Sequence, residues 1–265
     1  MPVYYDQLQR PVKIDAVPQR IVSLVPSQTE LLFDIGVMRQ VVGCTKFCVH
    51  PAALTSNVTK VGGTKQLNLE QIHALKPDLI IANKEENNRE DIEVLMLNYP
   101  VWVSDIQSLK QALDMIIALG EITACSQRAN ALAAVVEQNF KALNNLHPQL
   151  HTVYLIWRKP YMAVGSNTFI NEMMHYCGLS NAINDSRYPA VDIPFLKQLS
   201  PELVILSSEP YPFKQKHIVE LQEQLPGAKI ILANGEIFSW YGSRLQYVPE
   251  YFKQLRGRLN RQIEN

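Results

Sequence analysis

Apolar and polar positions along the chain switch between two periods. The segments Arg20 to Leu24, Val41 to Gly43 and Leu79 to Ala82 are short apolar or β-branched runs, the length of buried parallel strands. Between them apolar residues recur at helical spacing, as in Leu31-Leu32-Phe33 and Leu69-Glu-Gln-Ile-His-Ala-Leu75. A strand that feeds a helix and then another strand reads as a parallel α/β unit. Ser27 and Glu30 have the spacing of a capping box, which predicts a helix that starts at Ser27 and ends at Gly36. Pro77 stops the helix over 69–75, and the strand from Asp78 runs into the polar loop Asn83 to Asn87.

The pattern then repeats. Ala74-Leu-Lys-Pro-Asp-Leu-Ile-Ile-Ala and Gln198-Leu-Ser-Pro-Glu-Leu-Val-Ile-Leu both run from a helix end through a Pro-acid step into an apolar strand. Two similar lobes follow from this, over residues 1–124 and 148–265. Residues 104–146 carry almost no turn signal except Gly120, and they are rich in Ala, Leu, Gln and Lys at helical period. Ser126 is placed to cap a helix from Gln127 to Leu146, about 30 Å long at 1.5 Å per residue. That helix, within 125–147, is expected to join the lobes and to limit how far they swing, since its middle offers no hinge. The fold class expected is therefore α/β, two Rossmann-like lobes joined by a single long backbone helix, with a ligand cleft between the lobes.

Composition narrows the function. Lys+Arg and Asp+Glu each total 25 in 265 residues, so no net field gathers nucleic acid, and none is expected as a partner. Arg256, Arg258 and Arg261 read as a solvated helix face. At 47% hydrophobic the chain has ample material for a core, yet no stretch approaches the roughly 20 apolar residues of a membrane span. The opening Met1-Pro2-Val3-Tyr4-Tyr5-Asp6-Gln7 has neither a basic nor an apolar segment of a signal peptide, which predicts a cytoplasmic location if Met1 is the native start. Four cysteines are too few to build the fold by disulfides. Cys44 and Cys48 read as structural thiols, the alternatives being that they pair or join His50 around a metal.

Ligands of open α/β sheets bind beyond the carboxyl ends of the strands, which directs attention to the strand-end loops. In the first half these are Pro26-Ser27, Lys46-Phe47-Cys48, Gly62-Gly63-Thr64 and Asn83 to Asn87; in the second, Trp157 to Tyr161, Ser207 to Phe213 and Phe238 to Arg244. Two of them are expected to expose large aromatics beside arginine, with Arg244 an exposed donor, which suits a bulky, partly planar or anionic ligand. The alternative for Trp157 and Trp240 is ordinary strand-end core. Glu85, Glu86 and Glu90 make an acidic cluster, either a solvated face or a docking surface. Gly-x-Gly-x-x-Gly, P-loop, His-Glu-x-x-His and Gly-x-Ser-x-Gly patterns are absent, and Gly62-Gly63-Thr64-Lys65 reads as a turn, so neither enzyme nor cofactor is expected. Of the histidines, His73 and His175 fall within predicted helices, and His147 and His151 flank Pro148.

Four motifs in order carry a resemblance that spans nearly the whole chain. Arg20-Ile-Val-Ser-Leu-Val-Pro-Ser-Gln-Thr-Glu-Leu-Leu, Asn68-Leu-Glu-Gln-Ile-His-Ala-Leu-Lys-Pro-Asp-Leu-Ile, the lead-in Asp6-Gln-Leu-Gln-Arg-Pro-Val and Tyr176-Cys-Gly-Leu-Ser-Asn181 together resemble the helical-backbone (class III) solute-binding proteins of ABC importers, the group with iron-siderophore and cobalamin receptors. The resemblance implies a monomeric periplasmic receptor whose cleft closes slightly on a small molecule and delivers it to an ABC permease. By position it implies ligand contacts from Ser27, Phe47, Thr64, Asn83, Lys84, Trp157, Arg158, Tyr161, Trp240, Tyr241 and Arg244. It implies docking acids at Glu86 or Glu90 and, in the second lobe, at Glu236. Cobalamin-binding members wall the corrin with aromatics, whereas this chain carries Thr64, Asn83 and Ala190 at such places, so a smaller or more polar chelate is expected: an iron-siderophore, haem or corrinoid-like ligand. No metal site is expected beyond the weak candidates Cys48 and His50. The alternative assignment is a leaderless cytosolic sensor or metal-linked protein using the same cleft without transport.

Overall fold

The computed structural model describes residues 3–143 and 150–261, which form two compact units. The first holds Met1–Ile106, Lys110–Glu137 and Tyr241–Gln246; the second holds Gln107–Leu109, Gln138–Trp240 and Tyr247–Asn265.

In the first unit β1 (Val3–Tyr5) and β2 (Pro11–Lys13) pair antiparallel. The turn between them is held by Asp6, whose carboxylate accepts from the backbone N–H of Leu8 and Arg10 and from the Arg10 guanidinium. Then come β3 (Ile21–Ser23), α1 (Pro26–Asp34), β4 (Val41–Cys44), α2 (Ala52–Thr55), β5 (Thr59–Lys60), the small pair β6 (Gly62–Gly63) and β7 (Gln66–Leu67), α3 (Leu69–Leu75), β8 (Leu79–Asn83), α4 (Arg89–Met96) and β9 (Val101–Ser104). The sheet is parallel in the order β5-β4-β3-β8-β9. One face packs Val22, Leu24, Ile80 and Ala82 against Ile72, Ile92 and Leu95 from helices α3 and α4. Two helices follow, α5 (Leu109–Ile122) and α6 (Ser126–Lys141). They approach closely where Gly120 meets the Ala129 methyl, a contact that leaves no room for a Cβ on residue 120. The boundary between the units falls inside α6, after Glu137. Of the helix expected over Gln127 to Leu146, α6 accounts for the positions through Lys141, and positions 144–146, like His147 and Pro148, lie outside the described residues.

The second unit has β10 (Leu150–Trp157), β11 (Tyr161–Ala163), α7 (Phe169–Tyr176), β12 (Leu179–Asn181), β13 (Ala190–Val191), α8 (Ile193–Leu199), β14 (Leu203–Ser207), α9 (Gln215–Gln224), β15 (Lys229–Ala233), α10 (Gly235–Ser239) and α11 (Val248–Arg261). Its sheet runs β13-β11-β10-β14-β15, with β12 also on β10. Strands β10, β14 and β15 are parallel, and β11 returns antiparallel.

The repeat seen in the sequence is a repeat of backbone conformation. Asn68 and Asp192 cap α3 and α8 through side-chain oxygens that accept from Gln71 N–H and Phe195 N–H. Both seven-residue helices end in a left-handed residue, Lys76 at φ 46° and Ser200 at φ 46°, directly before the proline. The acid after each proline serves the strand beside it: Asp78 accepts from Gln19 and Arg20 N–H, and Glu202 accepts from His151 N–H. Each five-residue strand that follows, β8 or β14, is wholly buried and paired on both sides within its sheet.

Two expectations need correction. The capping box does not form: Val25 is the N-cap of α1, Pro26 occupies the first turn, and Ser27 makes no capping bond. Proline needs no N–H partner and has its φ preset, so the helix begins with Pro26, its N-cap two residues before the serine. At the other end Gly36 does stop α1, at φ 95°, with Val37 N–H on Leu32 O. The second correction concerns Arg256, which is buried rather than solvated and donates to Gly178 O at 2.6 Å. Arg258 is exposed, as expected.

Candidate functional site

In the first unit the loops beyond the carboxyl ends of the strands carry the candidate residues. Ser27 follows β3 in the first turn of α1, and its buried hydroxyl has no hydrogen-bond partner among the described residues. Phe47 follows β4 and is 50% exposed, with the Lys46 ammonium 5.2 Å from its ring centre. Thr64, half-buried, sits in the turn between β6 and β7. After β8, Asn83 is buried and committed to the loop: its amide N–H groups donate to Ser104 and its oxygen accepts from Glu85 and Glu86 N–H. Lys84 is exposed and pairs with Asp105 at 2.6 Å.

The segment Tyr241–Gln246 belongs to this unit by its contacts, although the sequence reading groups it with the second lobe. Gly242, at φ 129°, runs so close to the backbone of Ser27 that a Cβ on it would stand 3.1 Å from Ser27 O. Beside it Tyr241 donates to Glu86 Oε1 at 2.8 Å. Arg244 grips Glu30 with two hydrogen bonds, Nε to Oε2 at 2.9 Å and Nη2 to Oε1 at 2.7 Å. Burial raises the Glu30 carboxyl above its ordinary range, against the pull of Arg244. Sequence reasoning places Arg244 as an exposed donor; it is largely buried, because a carboxylate 214 positions away occupies its fork. Glu30, read only as a helix cap, is the residue missed, and no local signal announces a partner at that separation.

In the second unit Trp157, at the end of β10, is 40% exposed and meets Tyr211 edge-on with ring centres 5.7 Å apart. Arg158 hydrogen-bonds Tyr211 and Tyr161 and pairs with Glu220 at 2.6 Å, interactions that raise its already high pKa. Tyr161 opens β11 and packs on the core of the unit. The expectation of an exposed aromatic at both loops holds for Trp157 and fails for Trp240, which is buried where its backbone N–H closes α10 on Glu236 O. Tyr241 is buried too. Glu236, half-buried, lies in the first turn of α10, and Glu90, exposed, in the first turn of α4.

Cys44 and Cys48 are free thiols, and both are buried. They hydrogen-bond to each other, Lys60 Nζ lies 3.3 Å from Cys44 Sγ, and the Thr29 and Thr45 hydroxyls each lie 3.2 Å from Cys48 Sγ. The bond from Cys48 lowers the Cys44 thiol to about 7, with Lys60 adding to it against burial, while burial holds Cys48 well above the ordinary range. His50 is half-exposed beyond them, and among the described residues no three His, Cys, Asp or Glu side chains gather as a metal would need. Nor is any described helix long and apolar enough to cross a membrane.

The sequence model described as "Periplasmic binding protein" matches residues 21–232, from the start of β3 to β15. The vitamin B12-binding protein of Vibrio vulnificus is 27% identical over 214 residues, 79% of this chain and 76% of its own length. Among solved structures, the molybdate periplasmic binding protein MolA of Haemophilus influenzae superposes with a TM-score of 0.81 at 17% identity, covering 99% of this chain and 92% of its own. The periplasmic heme-binding protein RhuT of Roseiflexus sp. RS-1 does so with 0.76 at 20% identity, covering 90% and 99%. At these identities the two structures speak for the fold.

Proposed function

Because this chain belongs to the periplasmic binding protein family, whose members are the substrate-binding components of ABC importers, we propose that it captures a bulky metal chelate and hands it to a membrane permease, catalysing no reaction. The observation that carries this is the extent of the family match, which runs through the strands of both units. The ligand we infer is an iron-siderophore, haem or corrinoid-like chelate. The named ligands of the relatives range from vitamin B12 to haem to molybdate, so the choice rests on this chain's own residues.

Those residues put an exposed aromatic near a cation in each unit: Phe47 with Lys46 in the first, and in the second Trp157, whose ring partner Tyr211 is hydrogen-bonded by Arg158. Such pairs suit a flat or partly anionic ligand by stacking and charge. Arg244, engaged with Glu30, serves better as a brace for the Tyr241–Gln246 segment than as a free anion donor. For docking to a permease, Glu90 is the better candidate of the first unit, since the Glu86 carboxylate already accepts from Tyr241.

A thermal-shift panel of ferric siderophores, haem, corrinoids and molybdate tests the reading. A ligand at about 100 times its Kd should stabilise the protein by about 2.7 kcal/mol. The Trp157→Ala variant should keep its own melting temperature and lose most of that gain. If no chelate moves the transition and molybdate does, the ligand class is wrong; if nothing moves it, the receptor reading itself fails.

A further inference from the structure

The geometry points to a peroxide-oxidised disulfide between Cys44 and Cys48, with Cys44 as the attacking sulfur and Cys48 as the resolving one. Cys44 ends β4 and Cys48 closes the turn after it, where Cys48 N–H donates to Thr45 O at 3.1 Å. The turn brings the two thiols into hydrogen-bond contact. Lys60 is the register partner of Cys44 across β4 and β5, which brings its ammonium to the Cys44 sulfur; the same ammonium donates to Cys48 O at 3.1 Å. A cation and a neighbouring S–H both favour a thiolate on Cys44, consistent with its lowered pKa of about 7. Cys48 keeps its proton and is aimed at Cys44.

Burial decides the oxidant. Both sulfurs are closed to water in the folded state, so the oxidant must enter by local opening, which a small molecule such as hydrogen peroxide needs far less of than a bulky disulfide reagent. The Cys44 thiolate attacks one peroxide oxygen, the O–O bond breaks, and the departing hydroxide takes a proton from solvent as water. Cys44 is left as the sulfenic acid. The Cys48 sulfur then attacks the Cys44 sulfur, forming the S–S bond and expelling hydroxide, which leaves as water with the proton of Cys48. In sum two thiols and one peroxide give one disulfide and two waters, and two electrons pass from sulfur to oxygen. The five-residue ring so closed contains Phe47, so oxidation would restrict an aromatic of the proposed ligand set. That consequence rests on the function proposed above; the disulfide itself does not.

The full-length reduced protein is treated with equimolar hydrogen peroxide, blocked with iodoacetamide and digested with trypsin. Cleavage after Lys46 yields Gln40–Lys46 and Phe47–Lys60, which stay joined only through the disulfide. The expected result is the linked pair, split by a reducing agent, while buried Cys177, pushed up to about 12, and half-buried Cys125 remain alkylatable after unfolding. In Cys48→Ala the reaction should stop at a sulfenic acid on Cys44 that dimedone traps, and in Lys60→Met it should slow several-fold. Oxidation of Cys125 in preference to the pair overturns the proposal, as does a wild-type Cys44 that goes on to the sulfinic acid without linking. A linked pair with chelate binding unchanged retains the disulfide and removes only the consequence for Phe47.

Discussion

At the scale of single residues, the Glu30–Arg244 pair is the least expected feature and the most testable. Both side chains are largely buried, and removing one partner leaves the other charge uncompensated, so Arg244→Ala should cost about 2 kcal/mol in a denaturant titration. The pair also has a pH signature. Burial holds the Glu30 carboxyl above its unfolded range, so the folded state binds the proton more tightly, and the stability this contributes is lost as pH rises through the folded value. The stability of the wild type relative to Glu30→Gln should therefore fall between acid and neutral pH; a constant or widening difference would show that Arg244 prevails over burial. Next to the pair, Gly242 is in a conformation that L residues avoid, and a methyl there meets the Ser27 carbonyl. Gly242→Ala should cost about 1–3 kcal/mol, read as a lowered melting temperature.

At the scale of elements, the twin Pro-acid steps show how much a short motif dictates. The left-handed cap, the proline that forbids further helix, and the acid that satisfies the N–H of the adjacent strand are local devices, and all three are present in both copies. Asn68→Ala and Asp192→Ala each remove one helix cap and should each cost about 1 kcal/mol, adding nearly independently because they lie in different units. Local signals have limits, however. Ser27 with Glu30 satisfies the capping pattern, yet Pro26 starts the helix and Glu30 turns to Arg244 instead. In the same way Arg256, polar in any sequence pattern, is buried because its guanidinium reaches the Gly178 carbonyl at the end of α7. At the close approach of α5 and α6, Gly120→Leu should destabilise by several kcal/mol, since the Ala129 methyl already fills the space.

At the scale of the whole molecule, a chain of zero net charge has no field to concentrate on a polyanion, so it should show no salt-dependent binding to duplex DNA tighter than about 1 μM at low ionic strength, measured by anisotropy of a labelled duplex. The class of fold was legible from strand and helix periods and from the repeated motif, because burial of one face and the capping of helix ends are imposed on neighbours in sequence. The strand-end loops were legible for the same reason: each follows directly from the strand before it. Which side chains in those loops stay open was not. Trp157 and Trp240 occupy comparable places in the sequence, and only one is exposed. Arg244 looks like a free donor until Glu30 is brought against it, and Cys44 looks like an inert core thiol until Lys60 and Cys48 are placed beside it. The sequence by itself determined the two α/β units and where their functional loops lie, since those depend on contacts a few residues apart. Only the tertiary structure decided which of those residues are committed to one another, because charge pairing, burial and thiol reactivity depend on distances that chain order does not encode.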